Sequence, residues 1–436
     1  MLKIKNKIFR FYSKIVGSIA FYPAIITFAF SAFAIIMLKV ENHGISKYVG
    51  ENVQHIVVNN KDTARTILST IIGGIMSLTV FSFSMVMLLL NQASSNFSPR
   101  VLPSLVSNKK HQSVLGIFLG TIVFCLLVSI NILPDHRSYS VPGVTTFIGV
   151  VLGLFCLAVF VYFLHSISKS IQIGYVLEKL YTETLSEVES KIVEDEECGQ
   201  RRKELPDSKN WQTIYSSQTG YLQEIMEQHL TSLAKKHKTS ILIEAIKGTF
   251  IIKNEVIGYI KKELDEDAKM DINSCLLFSS EERIEQNFVL GFKQISEVVV
   301  KAMSPGINDP GTALVGIDYL SELFRNRMKL PDNIEIASEE KNGKVYISNT
   351  SFEEIFYLNI VSIRQYGRHD VVVLIRLLDL FKSLLNVRNI EKSHQIFLQK
   401  QLQSLLEDIE EHIINKEDKS RLFAIGKPLL MGREKK

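Results

Sequence analysis

Four polar side chains recur at seven-residue intervals inside an otherwise apolar stretch: Thr70, Ser77, Ser84 and Asn91. On an α-helix seven steps return to within about 20° of the starting face, so the four form one stripe. Gly73 and Gly74 fall beside it, and Ile, Leu, Met and Phe fill the other face. Two chemistries suit such a stripe. Small residues and hydroxyls let helix backbones approach and bond across an interface. Turned to water in an oligomer, the same groups would line a pore.

A second cluster is Ala302-Met303-Ser304-Pro305-Gly306-Ile307-Asn308-Asp309-Pro310-Gly311-Thr312-Ala313. Asp before Pro suits an N-cap followed by the first helical position. Gly306 permits a backbone conformation with positive φ. The segment reads as a hard corner between two helices. It also reads as an anion site, because free amides at a helix N-terminus favour negative charge. Ser304, Asn308 and Asp309 would then be joined by Arg283, Arg364, Arg368 and His369, if the fold gathers them. Nucleotide-loop, zinc-protease and serine-hydrolase signatures are missing, so no catalytic residue is assigned. The four cysteines show no C-x-x-C spacing, and neither a metal nor a cofactor is expected.

The elements that carry these residues follow from charge. The chain has 436 residues, 46% apolar and 22% charged, with a net charge of +4. Residues 1–165 hold 13 Lys/Arg and 4 Asp/Glu, whereas residues 166–436 hold 37 and 42. Ile15–Leu38, Thr66–Pro99, His111–Pro134 and Ser138–Ser168 contain no Asp, Glu, Lys or Arg. Each exceeds the roughly 20 apolar residues that cross a bilayer. Spans are expected near Ile19–Val40, Ile67–Leu90, Val114–Leu133 and Val144–Leu164.

The basic start and Ala32-Phe33-Ala34 resemble a signal peptide, but the apolar run continues to Leu38, so a retained membrane helix is expected. Lys3, Lys5, Lys7, Arg10 and Lys14 precede the first span, and Arg100, Lys109 and Lys110 follow the second. By the positive-inside rule both termini face the cytoplasm. Charge-free spans argue against proton relays and voltage sensing.

The expected organisation is a four-span transmembrane domain over 1–165, a stalk helix and charged linker over 166–207, a small α+β module over 208–265 and a helical cytoplasmic domain over 266–436. The fold class is thus a membrane all-α four-helix transmembrane domain plus a mainly helical α+β cytoplasmic domain. A helix is expected over Gln223–Lys235 and another over Glu281–Met303. Ile241–Ile260 is similar to half of a biotinyl/lipoyl-type β-sandwich. Lys247 sits between Ile246 and Gly248, not between two methionines, so the element is read as structural.

The Ser304–Pro310 segment resembles the signature of a bacterial family of predicted membrane proteins of unknown function. Arg283 and Gln286, Ile363-Arg364-Gln365-Tyr366-Gly367, Ser94–Arg100 and Val114–Gly120 match it as well. Asn287 stands where such sequences often carry Asp. The resemblance implies four spans and a cytoplasmic C-terminal domain, with no established activity.

The leading expectation is a homo-oligomeric, channel-like conduit in the lipid bilayer, assembled or gated by its C-terminal domain. A non-conducting scaffold or sensor that recruits a cytoplasmic partner is the alternative, and a membrane-associated enzyme using Asn308, Asp309 and nearby arginines is the third. No nucleic-acid partner is expected, since the C-terminal part is net acidic.

Overall fold

The computed structural model describes residues 20–41, 43, 45–46, 48, 58, 60–96, 109–132, 142–170, 172–198, 205–279, 287–337, 343–388 and 390–430. The chain divides into two compact units, Met1–Gln172 and Ile173–Lys436.

The first unit holds four helices long and apolar enough to cross a membrane: α1 (Phe21–Glu41), α2 (Lys61–Asn96), α3 (Lys109–Ile130) and α4 (Gly143–Ser170). α3 is central and touches the other three. Half of its span is buried, against 6% for α1. Glycines make the close approaches. A Cβ at Gly116 would lie 2.9 Å from Ile26, and one at Gly120 would lie 2.8 Å from Phe30. This Gly-x-x-x-Gly pair lets α1 settle onto α3 where larger side chains would hold it away. Gly149 and Gly153 of α4 repeat the device against Leu68 and Ile71 of α2.

One ionisable group lies just beyond the charge-free windows yet is buried. Glu41, at the end of α1, is 4% exposed. Its Oε2 accepts from Thr145 Oγ1 at 2.8 Å, and its Oε1 accepts from Ser46 Oγ. Ser46 Oγ in turn accepts from the Val144 amide at 3.0 Å. The carboxylate thus reaches the first turn of α4, where the helix dipole favours negative charge.

The second unit opens with α5 (Ile173–Cys198). The segment expected as a stalk packs along α8 (Phe288–Ala302) and α9 (Pro310–Arg327). Gly291 of α8 admits Thr184 of α5, and Tyr181 stacks on Tyr319 with centroids 4.4 Å apart.

Next come β1 (Gln212–Tyr215), β2 (Gly220–Ile225), α6 (Glu227–His237), β3 (Ser240–Ile243), β4 (Phe250–Ile251), β5 (Val256–Ile260), α7 (Glu266–Ser274) and β6 (Leu276–Ser279). β7 (Asn333–Ala337) and β8 (Lys344–Ser348) lie between α9 and α10 (Phe352–Gly367). The sheets run β1-β5-β3-β8-β7 and β4-β2-β6. β3 and β8 pair in parallel, Ile241 opposite Val345, and the other pairs are antiparallel. The expected module boundary at residue 265 therefore cuts through a sheet that two later strands complete. The expected helix over Gln223–Lys235 is also corrected. Its first residues belong to β2, held by β4 and β6, and the helix begins at Glu227.

α11 (Val371–Leu385), α12 (Lys392–His412) and α13 (Lys416–Leu430) finish the unit. Phe292, Phe324, Phe352, Phe356 and Phe381 join α8 through α11 in one aromatic core. Ring centroids are 5.0 Å apart for Phe292–Phe324 and Phe324–Phe356. Burying five phenylalanines removes about 2 kcal/mol worth of apolar surface from water for each ring.

Candidate functional site

α2 has two heptad rows on opposite sides. Leu68, Ile75, Ser82 and Leu89 are buried against neighbouring helices. Thr70, Ser77, Ser84 and Asn91 sit two residues further on, about 200° around the helix, and all four are exposed on the bundle. The hydroxyls of Thr70, Ser77 and Ser84 donate to the carbonyls of Thr66, Gly73 and Val80 at 2.8, 3.0 and 3.0 Å. Beside them, no atom lies within 4 Å of a Cβ built at Gly73 or Gly74. The glycines of α3 and α4 are filled by partner helices, and those of α2 face outward.

The motif corner joins α8 to α9. Asp309 caps α9: its Oδ1 accepts from the Thr312 amide at 3.1 Å and its Oδ2 from the Thr312 hydroxyl at 2.5 Å. Those bonds, the hydroxyl's first, hold its carboxyl below the usual Asp range. The Asp309 amide donates back to Ala302 O at 2.8 Å, closing the turn. Gly306 does not use its freedom to take a positive φ. The left-handed residue is Asn308, with φ +49°. Among non-glycine residues Asn tolerates that region best, because its short amide replaces lost backbone contacts.

Arg364 forms an ion pair with Asp408 of α12, Nε to Oδ2 at 2.9 Å. Arg368 Nη1 lies 3.4 Å from His412 Nε2, and His369 packs edge-on against His412. These three side chains bridge α10 and its following turn to α12. Arg283, Gln286 and residues 97–100 lie outside the described residues. Ser304 donates to Lys301 O at 2.6 Å and stands at one end of a groove.

That groove is a feature the sequence did not announce. It has a volume of about 800 Å³ and follows the seam between α8 and α10. Ser304 and Tyr366 close one end, and the Ile246–Thr249 turn closes the other. Inside, Ser296 Oγ donates to Asn359 Oδ1 at 2.8 Å, and both residues are buried. Asn287 caps α8 through the Val289 amide at 3.2 Å. Its Nδ2 donates to Lys247 O at 3.4 Å, a bond an aspartate could not make. Gly248, at φ +84°, leaves the room for that amide.

A smaller chamber of about 60 Å³ shares Lys247, Asn287, Val289 and Thr350 with the groove and adds Arg327. Arg327 is 1% exposed. Its Nη1 donates to Leu330 O at 2.8 Å, and its Nη2 donates to Asp332 Oδ1 at 2.6 Å and Thr350 O at 2.7 Å. Its Nε has no hydrogen-bond partner among the described residues. Burial lowers its pKa, and Asp332 opposes that shift.

Four apolar spanning helices followed by a mainly helical α+β unit define the class: a multi-span membrane protein with a large extramembrane domain. The model of the family described as Predicted membrane protein (DUF2254) matches residues 17–383, and the chain belongs to that family. It is similar to the uncharacterized protein Rv1290c of Mycobacterium tuberculosis, 24% identical over 368 residues, covering 81% of this chain and 68% of the relative. The uncharacterized protein Mb1321c of Mycobacterium bovis shows the same identity and coverage. No solved structure matches the chain.

Proposed function

We propose that this membrane protein is a homo-oligomeric, channel-like conduit of the bacterial inner membrane, with both termini in the cytoplasm. One observation carries the reading: the small, hydroxyl-bearing row of α2 points away from its own bundle, and among the described residues no other helix comes within 4 Å of a Cβ built at Gly73 or Gly74. Copies of the chain would meet through this row around a common axis, with Thr70, Ser77, Ser84 and Asn91 turned to the path. The extramembrane unit would assemble or gate the ring.

A non-conducting scaffold is the second reading. It is favoured by the hydroxyls' bonds to their own helix carbonyls, which satisfy them without water. The decisive experiment combines mass measurement in detergent with planar-bilayer recording. An oligomer whose conductance is lost in Ser77→Leu and altered in Ser84→Ala supports the conduit. An oligomer without conductance supports the scaffold. A non-conducting monomer or dimer sinks the conduit and likewise supports the scaffold.

A further inference from the structure

The groove and the chamber are two parts of one concavity with two chemistries. The chamber is small and charged. It has room for one phosphate- or carboxylate-sized group, and its wall includes Arg327, a buried guanidinium with an unfilled Nε donor. Lys247 stands in both parts, 3.9 Å from Glu227. Two helices start at this point: α8 after Asn287, and α10 just beyond Thr350. Their first-turn amides add partial positive charge.

The groove is long and amphipathic. Val289 and Ser304 both line it, and fifteen residues of helix span about 22 Å. Val300, Ile355 and Leu358 give it apolar walls, while Lys293 stands in its lining half-buried. Leu358 is 59% exposed and Tyr366 is 56% exposed, so large apolar side chains stand in water along the rim. Across the whole lining five basic side chains stand with four acidic ones, and Arg327 is also paired to Asp332, so the donor left for an anion is the Arg327 Nε, with Lys247 beside it.

We propose that this concavity binds an amphiphilic organic anion, its anionic group in the chamber beside Lys247 and Arg327 and its apolar body along the α8–α10 seam. The inference is independent of the conduit, because every residue in it belongs to the second unit. A membrane phospholipid and a water-soluble alkyl anion share this chemistry.

The test uses the full chain in phosphatidylcholine nanodiscs, with hydrogen exchange of residues 287–304 and 350–366 as the readout. Octyl phosphate is added from solution, with octanol and inorganic phosphate as controls. Octyl phosphate slows exchange in both segments, and the two controls do so far less. Lys247→Gln, which removes the charged contact, weakens the effect about tenfold. Leu358→Glu weakens it as well, and both variants alter partly exposed side chains in an otherwise intact fold. In a second arm, nanodiscs containing phosphatidylglycerol replace the octyl phosphate. Protection there identifies the lipid as the source, and protection by octyl phosphate alone identifies a soluble one. Equal protection by octanol, no protection in either arm, or unchanged binding in both variants overturns the proposal.

Discussion

Gly367, at the end of α10, faces Met303, the C-cap of α8: a Cβ built on the glycine would lie 3.3 Å from the methionine Sδ. The same Cβ would lie 2.6 Å from Cγ1 of Val373. Two segments separated by 49 residues of sequence, Ala302–Ala313 and Ile363–Gly367, therefore meet at one point. The glycine is required there by space.

Gly367→Val should destabilise the second unit by about 1–3 kcal/mol, the usual range for overpacking. Gly306→Ala is the matched control. Its Cβ meets nothing within 4 Å, and its φ is not left-handed, so it should leave the melting temperature unchanged. Thermal unfolding in detergent checks both. Equal melting temperatures for the two variants would refute the packing argument.

Asp309→Ala should cost about 0.5–2 kcal/mol through loss of the α9 cap. The effect depends on pH. The folded carboxyl titrates below its ordinary range, so its stabilisation is fully present above the unfolded-state pKa and is lost as pH falls through the lowered folded value. Asp309→Asn keeps an acceptor for the Thr312 amide and abolishes that part of the acid dependence. Denaturant midpoints between pH 3 and pH 7 provide the measurement.

Arg327→Met should be among the most disruptive single changes in the second unit. It removes three hydrogen bonds that tie the α9 end to Leu330, Asp332 and Thr350. Breaking such a buried pair costs about 3 kcal/mol. Asp332→Asn, whose side chain is 32% exposed, should cost less. Comparing the two unfolding curves separates the cost of the buried cation from that of its half-solvated partner.

In the membrane unit, Gly120→Leu should loosen α1 from α3, because Phe30 occupies the space. Gly74→Leu should leave the melting of the monomer intact and shift only the oligomer distribution. The pair of variants, compared by cross-linking and by heat stability, distinguishes glycines used within one chain from those left for contacts outside it.

What the sequence revealed depends on the range of the interaction. The four spans were legible because hydrophobic length is a local property, and the α2 stripe because heptad spacing is local too. The Asp309 cap was visible as Asp before Pro. The end of β2, Gln223–Ile225, was misread as helix because its strand character comes from pairing with β6, and Ile225 finds Leu276 only in the folded sheet. Gly306 was noted for its backbone freedom on residue type alone, whereas the positive φ falls on Asn308, whose amide donates to Ser304 O in the folded turn. The groove was invisible for the same reason: its walls come from 246–249, 287–304 and 350–366, and nothing local links them.

The parallel pairing of β3 with β8 also constrains the order of events during synthesis. Translation adds about 5–20 residues each second, and Ile243 leaves the ribosome long before Lys344 is made. For that interval β3 presents a bare edge to the cell, the kind of edge that recruits stray strands. For the same reason, a gene fragment ending near residue 265 should yield aggregates instead of a soluble piece.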